Sequence, residues 1–392
     1  AAKNITYEDE SEFVEAAVKS IFSYSAFSTR NNSGYWYIDV VSLVPTKAEE
    51  FSAKMSAMVC YVDTGNSTFT SPASFRIIRE HRFGKSATVF ITCLYNGSQP
   101  QKVALGTANL RSNLRWVNVY SGRNVPRTTL SACVGPIYSR YRKLSLMANF
   151  FSYYTAMGVE HYHVYLEEPV AEVRALLLEL QLQGNVSMSV HKWKVDTDAT
   201  PIHGQMAAIQ DCIYRSKLHS KYVLNVDFDE YIVPSRNETL AEAVIRLAHS
   251  TGEDKLGSLV VPNWMFCYEY PADGLVHGQV PLLLSHSLTV RERNPWVYKT
   301  RSKYIASTSA ATIGGVHFVW EHAPGRREVF VPSSELAMNH YRTCCGLENL
   351  DVKPTLVLSH SDIVRDDGML RFEQRVLKSR AIVALLKLVR GN

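Results

Sequence analysis

The chain has 392 residues, of which 46% are hydrophobic and 20% charged, which excludes a disordered, fibrous or low-complexity polypeptide and leaves room for two or three domains. Forty-two Lys+Arg against 37 Asp+Glu leave a net charge of +5, too small and too dispersed to mark a nucleic-acid surface but no obstacle to an anionic substrate. No apolar run approaches the ~20 residues that cross a bilayer, and the start at Ala1 reads as a trimmed or mature chain.

In chain order, residues 11–22 predict a short helix. From Tyr35 to about Val119 the texture is short strand-like runs such as Tyr35–Val41, Met58–Val62, Ala87–Cys93 and Arg115–Val119. Turn signals at Thr64-Gly65-Asn66 and Asn96-Gly97 separate them, and together they predict a β-sandwich-like N-terminal domain over residues 1–126. Residues 125–129 form the join to a second domain, 127–392.

There the pattern turns to strand–helix–strand. Ser131–Val134 is a buried strand, and Leu144, Met147, Phe151 and Tyr154 recur at helical spacing before Gly158 closes the helix. Strands at 161–167, 186–190 and 221–226 alternate with helices at 170–182 and 201–218, the latter with Pro201 in its first turn. Such βα units give an α/β fold around a mainly parallel sheet, with ligands at the carboxyl ends of its strands. A last amphipathic helix, about Leu370–Val389, is expected to dock on the core.

Six Asn-x-Ser/Thr sequons, at Asn4, Asn31, Asn66, Asn96, Asn185 and Asn237, exceed what chance would place and point to a lumenal or secreted chain. Seven cysteines fit an oxidising compartment; none has zinc-finger spacing, and the odd number leaves at least one unpaired. Cys60 and Cys93, on neighbouring strand-like segments, are the first candidates for a disulfide.

The chemistry concentrates at Asp227-Phe228-Asp229-Glu230, which follows an apolar strand directly. With a strand's period of two, Asp227 and Asp229 face one side and Phe228 the other. Paired carboxylates repel unless a cation lies between them, and hard oxygen ligands suit Mn²⁺ or Mg²⁺, which would hold a diphosphate. By itself Asp-x-Asp is weak, a solvated turn being the usual alternative.

The stretches Cys133–Tyr138, Tyr153–Val159, His163–Tyr165, Gly204-Gln205, Asp211-Cys212, Asn225–Pro234, Gly315–Phe318 and Asn339–Arg342, in that order, resemble glycosyltransferase family 92. Its animal, nematode-type members are Golgi β1,4-galactosyltransferases that extend the core fucose of N-glycans, and plant relatives build β1,4-galactan. The resemblance implies a GT-A fold, UDP-galactose as donor, Mn²⁺ as cofactor, inversion at the anomeric carbon, a glycoprotein N-glycan acceptor and a Golgi lumen location behind a type II membrane anchor. It makes Asp229 a direct metal ligand, Asp227 a contact to ribose or metal, and His340 the third ligand. A homodimer is left open.

Departure of UDP needs cations on its phosphates. Arg342 offers a guanidinium fork; Lys299, Arg301 and Lys303 alternate along an expected strand, where an exposed basic face is the equal alternative. Inversion also needs a carboxylate to take the acceptor's proton. Glu321 and Glu269 come before Asp273 as that base, with ordinary surface carboxylates as the alternative. Trp264, Trp296 and Trp320 are possible sugar platforms, with one of the three expected to serve. Two rivals stand beside the transferase: an Asp-x-Asp phosphatase, disfavoured by Tyr231 after the motif, and a lumenal carbohydrate-binding protein without catalysis.

Overall fold

The computed structural model describes residues 7, 11–46, 56–78, 84–109, 113–122, 126–138, 140–182, 186–196, 199–270, 287–344, 362–379 and 381–382. Its first half holds eight strands: β1 (Val14–Glu15), β2 (Phe22–Arg30), β3 (Tyr35–Pro45), β4 (Met58–Asp63), β5 (Thr68–Ile77), β6 (Ser86–Asn96), β7 (Lys102–Thr107) and β8 (Val117–Ser121). Their order is β1-β2-β3-β6-β5-β4-β7-β8, and β8 returns to pair with β2, so the sandwich closes on itself. Closure removes the open edges that an isolated sheet would present. Val40, Val62, Ile91 and Val103 fill its interior, and the Cys60–Cys93 disulfide crosses it. The bond is the expected one, yet its strands are not hydrogen-bonded neighbours, since β5 lies between β4 and β6.

Residues 11–22 do not form the expected helix. Val14 and Glu15 pair with Ser23 and Phe22, Ala16 N–H donates to the Ile21 carbonyl, and Ser20 takes a left-handed φ of 67°. A segment this short has little helical stability of its own, so the available strand edge wins.

The second half is built on β9 (Thr128–Ile137), α1 (Leu144–Ala156), β10 (His161–Leu166), α2 (Ala171–Leu182), β11 (Met188–Lys192), α3 (Gln205–Ser216) and β12 (Ser220–Asn225). It continues with β13 (Glu230–Pro234), α4 (Leu240–Thr251), β14 (Leu256–Val261), β15 (Asn263–Cys267), β16 (Val290–Glu292) and β17 (Lys303–Ser307). The last elements are β18 (Ala311–Gly314), β19 (Val319–His322), β20 (Arg327–Phe330), β21 (Leu336–Arg342), β22 (Ile363–Arg365) and α5 (Glu373–Leu377). A seven-stranded sheet runs β11-β10-β9-β12-β17-β14-β20; β9 to β12 are mutually parallel, β17 runs against both its neighbours, and β14 and β20 are again parallel.

Alternation along β10 shows how the layers form. Tyr162, Val164 and Leu166 enter the core shared with α1, α2 and α4, whereas Tyr165 enters a second core on the other face. That second core joins α3 to the N-terminal strands: Tyr24, Phe27 and Phe90 pack with Trp193 and Tyr214. At its centre the Asp211 carboxylate accepts from Ser25 and Tyr165 and pairs with Arg215 at 2.7 Å, so no buried charge is left alone. Cys133–Cys212 ties β9 to α3. Among the described residues the C-terminal segment docks as expected, Phe372, Val376 and Ile382 being buried, but the expected helix is not continuous: a 3-10 turn over Gly368–Phe372 precedes α5, which ends at Leu377, and residues 383–389 of it lie outside the description.

Candidate functional site

The apolar strand β12 ends at Asn225, and the acidic motif is a turn rather than the strand continuation expected from the sequence. Glu230 N–H donates to the Asp227 carbonyl at 3.1 Å, and the Glu230 carboxylate accepts the Asp227 N–H at 2.8 Å. Phe228 anchors the turn in the core against Tyr141 and Phe150. The chain then reverses into β13, whose antiparallel register with β21 sets Glu230 opposite His340. A turn and a strand register, not a period of two, gather the acids.

Two of the three carboxylates share one ammonium here. Lys303, fully buried at the start of β17, donates to Asp227 Oδ2 at 3.0 Å and lies 3.1 Å from Glu230 Oε2. His340 Nε2 is 3.7 Å from Asp229 Oδ2, and its Nδ1 is 3.6 Å from Glu230 Oε1 without a hydrogen bond. Burial pushes the Glu230 carboxyl up, the charges of Asp227 and Asp229 add to that, and Lys303 and His340 offset only part. At Asp229 burial works the same way, but His340 and Lys303 outweigh it and hold the carboxyl below the usual range. Burial alone would depress Lys303; Asp227 and Glu230 overcome it and keep the ammonium charged.

An excess of carboxylate beside an imidazole is the donor set of a divalent cation, and Asp229 with His340 fits one without displacing Lys303. Asp227, 47% exposed, is held by Lys303 at 3.0 Å. The acids open into a cavity of about 360 Å³ at the carboxyl ends of β9 and β12, walled by Gly135–Tyr138, Tyr141, Lys143, Ile202, His203 and Gln205. This is where an open α/β sheet takes its ligand. Side chains of its wall hold one another: the rings of Tyr138 and His203 stack at 4.6 Å, and His203 Nδ1 lies 2.6 Å from Glu167. The expected helix over 201–218 therefore begins late, at Gln205, because Ile202, His203 and Gly204 all have left-handed φ.

Among the nominated cations, Lys303 reaches the acids directly, Arg301 is near enough for the Glu230 charge to act on it, and Lys299 is taken elsewhere. Arg301 is half-buried, its Nε has no hydrogen-bond partner, and its pKa is lowered by burial and then by the neighbouring Arg342 charge. Two guanidiniums close enough to repel each other are suited to an anion. The expected basic strand is confined to Lys303. Lys299 precedes it in a turn with φ 71°, bonds Glu328 at 2.6 Å and lies over the Phe318 ring, so a local acid has claimed it.

Of the nominated bases, Glu269 caps the Cys344 N–H at 3.0 Å next to the Cys267–Cys344 disulfide, just past the register partner of Arg342. Glu321 is instead engaged by Arg76 of β5, and Asp273 lies outside the described residues. Trp296 donates to Glu292 and carries Arg301 over its ring at 5.0 Å. Trp264 is stacked by Arg291, and Trp320 packs so closely on Gly315 that a side chain there would collide with it. Glu230, Tyr138 and His203 were not nominated from the sequence, and Lys303 was named only as one of three alternating cations. The signal for Glu230 was its place directly after the acid pair, while for Tyr138 and His203 only the fold could supply one.

An α/β sheet thus carries an acid-lined cavity at its strand ends, and comparison gives the chain a family. The model of glycosyltransferase family 92 matches residues 128–374, and the chain belongs to that family. A beta-1,4-galactosyltransferase, galt-1 of Caenorhabditis elegans, is 24% identical over 118 residues, which span 29% of this chain and 28% of that protein. Among solved structures, S. aureus TarS aligns over 46% of this chain and 28% of its own at 15% identity with a TM-score of 0.27. TarS 1-349 in complex with UDP-GlcNAc aligns over 54% and 58% at 11% identity and 0.32.

Proposed function

We propose that this glycosyltransferase moves galactose from UDP-galactose, with inversion, onto a hydroxyl of a glycan, in β1,4 linkage, the core fucose of an N-glycan being the first acceptor to try. The observation that carries the reading is the opening of Asp227 and Asp229 into a cavity at the strand ends, with His340 3.7 Å from Asp229. Asp229 and His340 would bind Mn²⁺, and Asp227 would reach it or the ribose. When bound, the metal supplies a Lewis acid that offsets the negative charge growing on the departing diphosphate.

Everything else falls to the chain. Lys303 holds Asp227 and Glu230 in place, so little rearrangement is needed as charge develops. Arg301 and Arg342 would take phosphate oxygens through forked hydrogen bonds. A carboxylate must accept the acceptor hydroxyl's proton while that oxygen attacks the anomeric carbon and the bond to UDP breaks. We assign this to Glu269, which stands on the Arg342 side, in preference to Glu321, whose carboxylate is neutralised by Arg76. A lumenal, Golgi location is supported by the three disulfides and by the exposed sequons Asn66, Asn96 and Asn237.

The test is UDP release from a panel of UDP-sugars, with Mn²⁺ or with EDTA, with and without a fucosylated N-glycan core. Release that requires Mn²⁺, UDP-galactose and the acceptor together is expected. Release with another UDP-sugar alone would overturn the donor; silence from folded protein across the panel would overturn the proposal.

A further inference from the structure

A cluster of histidines lies at the end of the sheet opposite the acidic site. His161 opens β10 and His163 follows on the same face; His219 stands in the turn just before β12, and the two elements reach each other across β9. Since β9, β10 and β12 are parallel, these residues mark the amino ends of the strands, whereas Asp227 and Asp229 follow a carboxyl end. The three rings form a near-equilateral triangle, with centres 4.8 Å (His161–His219), 5.0 Å (His161–His163) and 5.2 Å (His163–His219) apart. One nitrogen of each falls within 4.8 Å of the others.

We propose that His161, His163 and His219 form a metal site for an imidazole-preferring divalent ion, Zn²⁺ in the first place, separate from the acidic site. Three imidazoles bound tetrahedrally to one Zn²⁺ at about 2.1 Å have ring centres about 5 Å apart, which is the triangle observed. His163 is 2% exposed, and its Nε2 is buried without a hydrogen bond, a costly state that a bound ion relieves. Outer contacts that orient metal-bound imidazoles are also in place. His163 Nδ1 bonds His191 Nε2 at 3.0 Å, and the two nitrogens of His161 lie 2.9 Å from Ser187 Oγ and 2.8 Å from Ser189 Oγ, so either can turn to a metal while the other keeps its serine. The nearest fixed cation, Arg215, is already neutralised by Asp211 at 2.7 Å. His161 and His219 are only partly buried, which gives the ion a path from solvent. No carboxylate belongs to the triad, so it selects for softer ions than Mn²⁺. Three protein ligands leave a fourth position for water.

The test uses the untagged full chain carrying Asp229→Ala, so that the acidic site does not compete. Stripped with chelator and dialysed, it is titrated with Zn²⁺ against a chromogenic zinc indicator, and separately with Co²⁺ for the visible bands of a four-coordinate ion. One equivalent of Zn²⁺, visible Co²⁺ bands and no displacement by equimolar Mn²⁺ are expected. His163→Gln and His219→Ala should each weaken Zn²⁺ binding at least about tenfold. Should the buried His163→Gln fail to fold, His219→Ala, nearer the surface, decides. Folded protein that takes up no Zn²⁺, or whose uptake His219→Ala leaves unchanged, would overturn the proposal.

Discussion

Lys303 is the residue on which the acidic site balances. It is a buried ammonium shared by Asp227 and Glu230, and removing one partner of a buried ion pair costs roughly 3–5 kcal/mol because the other charges stay desolvated and alone. Lys303→Met is therefore expected to lower the midpoint of denaturant unfolding clearly, and an unchanged midpoint would refute this account. Asp229→Ala is expected to act on the chemistry instead: it removes a carboxylate that is 30% exposed and 3.7 Å from His340, so the circular dichroism stays while sugar transfer falls at least about 100-fold. The two variants separate holding the site from working in it. In the sequence the acid pair was legible because it follows an apolar strand, but Lys303 looked like one of three equivalent cations. Only the strand pairing of β17 with β12 brings it to the acids, and only Glu328 takes Lys299 away.

At the scale of elements, the turn before α3 is strained for a purpose. Ile202 has φ 44°, a conformation that costs a β-branched residue about 2 kcal/mol, and its side chain is 46% exposed, so burial does not compensate. Ile202→Gly removes that strain at an entropic cost below about 1 kcal/mol, so a net gain of about 1 kcal/mol is expected, measured as a higher unfolding midpoint. A lower midpoint would mean that the Ile202 side chain contributes more packing than its exposure indicates. At the other end of α3, burial pushes the Lys217 ammonium down from 10.5 to about 8, against the pull of Asp39. Between those two pH values the unfolded chain binds the proton that the folded chain has released, so this group makes stability rise with pH over that window. Lys217→Met should abolish the rise, and melting temperature against pH for both proteins reads it out; parallel curves would count against it. The pattern of apolar residues revealed α3 but not its delayed start, since a left-handed turn leaves no mark on periodicity.

For the whole molecule, the question is whether residues 1–126 and 127–392 are separable. We propose that division from the change in texture, yet the core joining Tyr24, Phe27 and Phe90 to Trp193 and Tyr214 makes the second part depend on the first. Expressed alone, residues 127–392 would expose that surface with the Asp211–Arg215 pair. It is expected to aggregate, and a soluble, cooperatively folding fragment would contradict this. The Cys133–Cys212 bond closes a sequence separation of 79 residues, so the double change to serine is expected to cost about 4 kcal/mol in chain entropy, read by chemical denaturation.

The alternating α/β half, the strand-rich first half, the acidic motif after its apolar strand and the family were legible in the sequence, because each of these is written in local periodicity or in residues close together along the chain. Tertiary structure alone decided what depends on distant pairing. Val14 and Glu15 join a strand because β2 is there to receive them. Glu269 and Glu321, alike in sequence, part ways because one meets the end of β21 and the other meets Arg76. The histidine triangle draws its members from either side of β9, and their separation along the chain hid them until the parallel sheet put their rings about 5 Å apart.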